Sequence, residues 1–223
     1  MSMMKKRIET ITRNKTEEVN SALMVLVFSV LCFVFANAQS SITIDASQNM
    51  TNFEFTDSEG QRDESYKPMF SGSYTLGYRY TTDFGLFGGI KIGMRRAGGS
   101  MVYDNANYSW DLQYADARLN IGYAYEIGKI SPYLMASPYG AYLLRATQTL
   151  NHQDFDIINS GDLELIDYGV FISPGVNFQA NDYVSVYGQF NYMLGLQNIE
   201  TRKEKVTNNT LMGLTLGLSF NIK

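Results

Sequence analysis

His152 is the chain's one histidine, and Asp154, Asp156 and Ser160 follow it closely. A histidine base oriented by a carboxylate and set beside a hydroxyl is the minimum for nucleophilic catalysis. The same four residues also describe an ordinary hydrated loop, and that is the reading adopted: no catalytic residue is assigned and no enzyme is expected. The acidic run Asp57-Ser58-Glu59-Gly60-Gln61-Arg62-Asp63-Glu64 offers carboxylates to Ca²⁺ but lacks the spacing of a defined calcium loop. Arg202-Lys203-Glu204-Lys205 is a small basic cluster that would suit lipopolysaccharide phosphates or simply a solvated loop. One Cys and one His in 223 residues leave no disulfide framework and no His/Cys metal site. No glycine-rich phosphate loop lies between a strand and a helix, so no cofactor is expected. The formal charge of −4 argues against nucleic acid as a partner.

Residues 1–38 read as an address. Lys5, Lys6, Arg7, Arg13 and Lys15 precede the apolar run Ala22 to Ala36, and Ala36-Asn37-Ala38 forms a small-x-small cleavage site before Gln39. This is the layout of a cleaved signal peptide, and the run falls short of the about 20 apolar residues that a spanning helix needs. Cys32 lies inside that run and is followed by Phe33-Val34-Phe35, which is not the pattern of a lipoprotein signal. The leader holds five of the chain's 18 basic residues and three of its 22 acidic ones, so residues 39–223 carry 13 and 19, a formal charge of −6. That exported portion contains no Cys, which suits an oxidising compartment.

Residues 39–223 alternate with period two, as strands with two unlike faces do. Met212, Leu214, Leu216, Leu218, Phe220 and Ile222 oppose Leu211, Gly213, Thr215, Gly217, Ser219 and Asn221. Tyr168, Val170, Ile172, Val176 and Phe178 oppose Asp167, Gly169, Ser173, Gly175 and Asn177. Phe70, Tyr74, Leu76, Tyr78 and Tyr80 oppose Ser71, Ser73, Thr75, Gly77 and Arg79. Weaker alternation marks Ile42 to Phe55, Phe84 to Arg95, Trp110 to Tyr125, Ser131 to Thr147 and Val184 to Leu196. The apolar parity switches between Tyr114 and Ala117, which predicts a bulge there. Eight segments of this length exceed the usual five or six residues of soluble strands. Short turns at Thr82-Asp83, Ile127-Gly128-Lys129 and Asn181-Asp182 alternate with long polar loops at 56–67, 97–109, 148–163 and 197–208.

This pattern predicts an all-β, eight-stranded antiparallel up-and-down transmembrane β-barrel, with short turns in the periplasm and long loops outside. Closure is required because each unpaired backbone group in hydrocarbon costs several kcal/mol. A soluble lipocalin-like barrel would carry the opposite polarity, apolar inside and polar outside. The strand charges favour the membrane: Arg79, Lys91, Arg95, Arg118, Arg145, Glu54, Asp116, Glu126 and Asp167 are all expected on the face opposite the apolar set. Eight strands leave an interior that side chains just fill, so a plugged lumen is expected. Gly77, Gly85, Gly89, Gly93, Gly169, Gly175, Gly213 and Gly217 would make room there for long side chains. Tyr80, Tyr123, Tyr125 and Tyr183 suit interfacial girdles.

Asp167-Tyr168-Gly169-Val170, Gly175-Val176-Asn177-Phe178 and Phe190-Asn191-Tyr192-Met193-Leu194-Gly195-Leu196-Gln197-Asn198-Ile199 resemble the small outer-membrane β-barrels of Bacteroidota often called PorT-like. The ending Gly217-Leu218-Ser219-Phe220-Asn221-Ile222-Lys223 is similar to the terminal strand of that family. The resemblance implies a Gram-negative outer membrane. It also implies an association of the founding member with type IX secretion, while most relatives have no defined role. The expected function is therefore a structural or partner-binding scaffold displaying four extracellular loops. An accessory secretion component, a small passive channel and a lipid-modifying rim enzyme are the alternatives. The expected partners are outer-membrane lipid, lipopolysaccharide and other envelope proteins, and the expected state is a monomer.

Overall fold

The computed structural model describes residues 38–56, 65–201 and 206–222. Residues 1–37, which hold Cys32 and most of the expected signal peptide, the acidic run 57–64 and the basic cluster 202–205 lie outside the described residues. Nine strands follow one another: β1 (Ala38–Thr56), β2 (Lys67–Thr82), β3 (Leu86–Tyr103), β4 (Ala106–Ala124), β5 (Ile130–Leu150), β6 (Gln153–Asp156), β7 (Ile166–Gln179), β8 (Val184–Gly195) and β9 (Val206–Ile222). Eight of them close a ring in the order β1-β2-β3-β4-β5-β7-β8-β9, with β9 returning to β1 from Ser40↔Ile222 to Thr56↔Val206. The four-residue β6 lies outside the ring, paired only with the end of β5.

Polarity decides what surrounds the ring. In β9, Leu214 and Leu216 are 67% and 73% exposed, while Thr215 and Ser219 between their neighbours are buried. Ile42, Ile44, Leu76, Ile92, Leu119, Ile121, Leu134 and Phe190 likewise point outward. A soluble barrel would put these residues inside; here they form a lipid-facing band. Tyr123, Tyr125 and Tyr183 are exposed at the short-turn end, where an aromatic girdle belongs.

Four expectations are corrected. First, β3 and β4 keep one register throughout, from Leu86↔Tyr123 to Tyr103↔Ala106, so the parity switch in β4 is not a bulge. Leu112 and Tyr114 are buried because the outer third of the lumen is itself apolar. The irregularity lies on β5, where Gln113 pairs with Arg145 but Tyr114 pairs with Leu143. The extra residue turns both Leu144 and Arg145 outward, so Arg145 is not a lumen charge. Second, Glu54 shares the outward parity of Ile42 and Ile44, and Glu126 lies exposed just beyond the end of β4. Third, Gly85 is a turn residue with φ of 91°, a conformation natural to glycine, and not a lumen spacer. Fourth, much of the segments 97–109 and 148–163 is strand. β3 and β4 meet at Asp104-Asn105, and β5 and β6 at Asn151-His152, all four with positive φ. That is the two-residue hairpin geometry that matches strand twist.

Candidate functional site

The lumen is built by the inward parity of each strand, and its charges pair. Lys91 Nζ donates to Asp45 Oδ2 at 2.7 Å. Thr75 Oγ1 donates to Asp45 Oδ1 at 2.7 Å and the Tyr187 hydroxyl to Oδ2 at 2.6 Å. One rung group further out, Arg95 pairs with Asp167, both fully buried. Asp167 also accepts from Asn209 Nδ2 at 2.9 Å and the Tyr139 hydroxyl at 3.2 Å. Arg118 Nε donates to Asp116 at 2.7 Å. Aromatic faces hold the cations from the side: Arg118 lies 4.0 Å from the Phe171 centroid, and Arg95 lies 4.6 Å from that of Tyr114. Arg79, nearest the short-turn mouth, is ringed by Phe87, Tyr133 and Tyr187 at 4.8 to 5.6 Å. A polar ladder fills the gap between charge clusters: Tyr133 donates to Gln189, Gln189 and Ser173 to Asn191, and Asn191 to Thr215.

Thus Arg79, Lys91, Arg95, Arg118, Asp116 and Asp167 sit where the alternation put them. Asp45, which holds Lys91, was missed. It lies in the segment whose alternation is least apolar, with Ile42, Ile44 and Met50 as its only large outward residues before Phe53. The signal available was the inward series Ser41, Thr43, Asp45, Asn49 and Thr51.

The tightness of the lower lumen gives a first test. A Cβ on Gly217 would lie 2.3 Å from the Tyr187 ring, whereas a Cβ on Gly188 would meet nothing nearer than 3.7 Å. Gly217→Ala is expected to push Tyr187 off Asp45 and to cost about 1–3 kcal/mol, while Gly188→Ala leaves stability nearly unchanged. Urea unfolding in lipid vesicles checks it; equal shifts for the two variants would contradict the packing described.

The outer end is closed by an apolar cap. Ile199 is buried with Phe53, Leu112, Tyr139, Leu143, Phe171, Met193 and Leu211, and Ile157, Ile158, Leu163, Tyr66 and Trp110 pack on that cluster. Backbone bonds tie the two covering loops together: Glu164 N to Ile199 O at 2.9 Å and Thr201 N to Asp162 O at 3.0 Å. Phe55 stacks on Tyr66 at 4.9 Å, and Trp110 contacts Tyr66, Tyr108 and Phe53. Above this floor lies a cleft of about 290 Å³ bordered by Trp110, Gln148, Ser160, Asp162 and Glu200. An indole, an amide, a hydroxyl and two carboxylates suit a hydroxyl-rich or cationic ligand and repel an anionic one.

The sequence-level catalytic candidates do not converge. His152 occupies the tip of the β5–β6 hairpin. Asp154 accepts from Thr149 Oγ1 at 2.6 Å, Asp156 from the Ile158 amide at 3.0 Å, and Ser160 Oγ from the Asp162 amide at 3.2 Å. Among the described residues no hydrogen bond joins His152 to any of them.

Comparison with solved structures finds the same architecture. Neisserial surface protein A aligns with a TM-score of 0.50 at 16% identity, covering 82% of this chain and 98% of that one. OprG from Pseudomonas aeruginosa gives 0.47 at 9%, with 83% and 97% covered. The attachment invasion locus protein of Yersinia pestis, in complex with sucrose octasulfate, gives 0.44 at 13%, with 83% and 99% covered. At these identities the likeness is one of fold alone. No curated protein matches the chain. Residues 35–200, which take in β1 to β8, match the family described as Outer membrane protein beta-barrel domain. With a closed antiparallel ring, an apolar exterior and an ion-paired interior, the chain belongs to that outer-membrane β-barrel family.

Proposed function

We propose that this protein is a non-conducting outer-membrane scaffold whose working surface is its outer mouth. The observation that carries the reading is the sealed lumen: three ion pairs, Asp45–Lys91, Asp167–Arg95 and Asp116–Arg118, stand beneath the cap formed by Ile199 and its neighbours. A passive channel needs a continuous aqueous path, and an eight-stranded interior has no width to spare once side chains fill it. What remains for function is the rim, because loops held by a rigid frame are where binding residues concentrate. The Trp110–Asp162–Glu200 cleft is the best-formed feature there, and it selects hydroxyl-rich or cationic groups of an envelope partner. The similarity of segments 167–178 and 190–199 to PorT-like barrels of Bacteroidota supports work alongside other envelope proteins. It does not by itself select a secretion role. Planar-bilayer recordings on the refolded protein are expected to show no unitary conductance steps. Reproducible steps of fixed size would replace the scaffold reading with the channel one.

A further inference from the structure

The β5 irregularity that expels Arg145 from the lumen has a consequence on the barrel's exterior. Arg96 of β3 and Arg145 of β5 are both directly paired with Gln113 of β4, so the three stand in one rung. Arg96, Gln113 and Arg145 all take the outward parity, since Arg95, Leu112, Tyr114 and Ala146 beside them are buried. Adjacent strands lie about 4.8 Å apart, which puts the two arginine Cα atoms about 10 Å apart with an amide between them. Asp111 accepts from Arg96 Nε at 3.1 Å and pairs with its Nη2, which fixes that guanidinium and leaves Nη1 outside the pair. Among the described residues Arg145 has no hydrogen-bond or ion-pair partner, and it is exposed.

The height of the rung matters. Toward the long-loop side it comes directly after an apolar outward residue in each strand, Met94 in β3, Ala115 in β4 and Leu144 in β5, and the exposed Val102 and Tyr103 beyond it belong to the tip of the β3–β4 hairpin. It therefore lies where the lipid-facing band ends on the long-loop side, at the headgroups of the outer leaflet. The feature is local. At the equivalent edge, β9 shows Thr210 and β1 shows Asn52 and Glu54. Directly below the rung, the outward residues Ala115, Ala117 and Gly140 are small, and Ala115 and Ala117 pair with Tyr142 and Gly140. Ile92, Met94 and Tyr142 stand on either side, and together they leave an apolar groove of about 990 Å³.

Two guanidinium groups above an apolar groove are complementary to one kind of molecule. We infer that this face binds a phosphorylated, acylated lipid of the outer leaflet, its phosphate between Arg96 and Arg145 and an acyl chain along Ala115, Ala117 and Gly140. Arginine forks match phosphate oxygens bidentately and hold them more strongly than neutral donors do. Gln113 adds an amide donor between them, and the groove explains why a lipid is favoured over a free anion. The inference rests on the barrel standing in the outer membrane, and it is independent of whether the outer mouth binds a partner.

The test uses the full mature barrel in detergent, with lipid retention read by native mass spectrometry. The probes are bis-phosphorylated lipid A, the same lipid stripped of phosphate, and inorganic phosphate. Wild type is expected to retain lipid A, and R96Q/R145Q to bind it at least about tenfold more weakly, since two charge-assisted contacts are lost and each is worth about that factor. Dephosphorylated lipid should bind wild type as weakly as lipid A binds the double variant. G140L, whose Cβ enters open space, should weaken binding by blocking the groove. K129Q, in a periplasmic turn, should leave it unchanged. Unaltered lipid A binding by R96Q/R145Q would overturn the site, and so would full displacement by inorganic phosphate, which would mark a small-anion site instead. R145Q alone, removing a side chain with no partner among the described residues, serves if the double variant fails the heat-modifiable gel shift of a folded barrel.

Discussion

Asp167→Ala is expected to destabilise the folded barrel by about 3–5 kcal/mol, the cost of leaving a buried charge without its partner. Asp167 and Arg95 are both fully buried, so neither can recover water once the pair is broken. Asp167 accepts from Arg95, Tyr139 and Asn209, and its loss takes the acceptor from Arg95 and Tyr139 and leaves Asn209 only the Tyr114 hydroxyl at 3.4 Å. The rings of Tyr114 and Tyr139 still face Arg95, but a ring quadrupole offsets only part of a full charge. Removing both charges is a different experiment. Arg95→Met with Asp167→Leu should lie close to wild type, because an ion pair taken out whole removes its own desolvation cost as well. The gap between the single and the double variant separates a dry lumen from a wet one. Urea unfolding in lipid vesicles, followed through the one Trp at position 110, measures both. A loss below about 1 kcal/mol for Asp167→Ala would mean that water reaches Arg95 and compensates it. The sealed-lumen reading would then fail along with the prediction.

That lumen was only partly legible beforehand, and the reasons are physical. Period two is enforced wherever one face must meet lipid, so the outward residues of β7, β8 and β9 could be read directly. The inward face obeys a weaker rule: it must be filled and satisfied, and it need not be polar. At its outer end the lumen is filled by Leu112, Tyr114, Leu143, Phe171 and Met193, all apolar or aromatic. In β4 this put apolar residues on both faces at different heights, which from sequence looks like a slipped register. In β5 the true slip at Leu144 falls among residues whose types do not reveal it, and unbroken alternation through Leu144 gave Arg145 the inward parity, which also spared it the cost of a charge in lipid. That cost falls to near zero at the interface, and pattern alone does not say how high a residue stands. The hairpin tips at Asp104-Asn105 and Asn151-His152 were taken for loops because strands that leave the membrane need no apolar face. The outer cleft was legible least. Trp110, Gln148, Asp162 and Glu200 come from β4, β5 and two loops, and only closure of the ring brings them together.

The outward assignment itself predicts a gradient along one strand. Leu216 is 73% exposed at the middle of β9 and is flanked by Ala46 of β1 and Gly188 of β8, so an arginine placed there meets no tall neighbour to screen it. In a bilayer, Leu216→Arg is expected to cost about 2–4 kcal/mol, the penalty of a cation facing lipid near the midplane. Met212→Arg should cost less, and Thr210→Arg, at the headgroup edge, about 0–1 kcal/mol. The ordering follows height and not packing, since Met212 and Leu216 are both exposed. It is the reverse of what a soluble barrel would give, where an arginine on any of these exposed positions enters water at little cost. Folding each variant into vesicles of one thickness and titrating with urea compares them directly. Three equal, small losses would mean that the leucine face of β9 does not meet hydrocarbon, however exposed it is. A steep fall from Leu216 to Thr210 would locate the upper edge of the band within two turns of the pleat from Met212, at the level at which Arg96 and Arg145 stand two and four strands beyond β1.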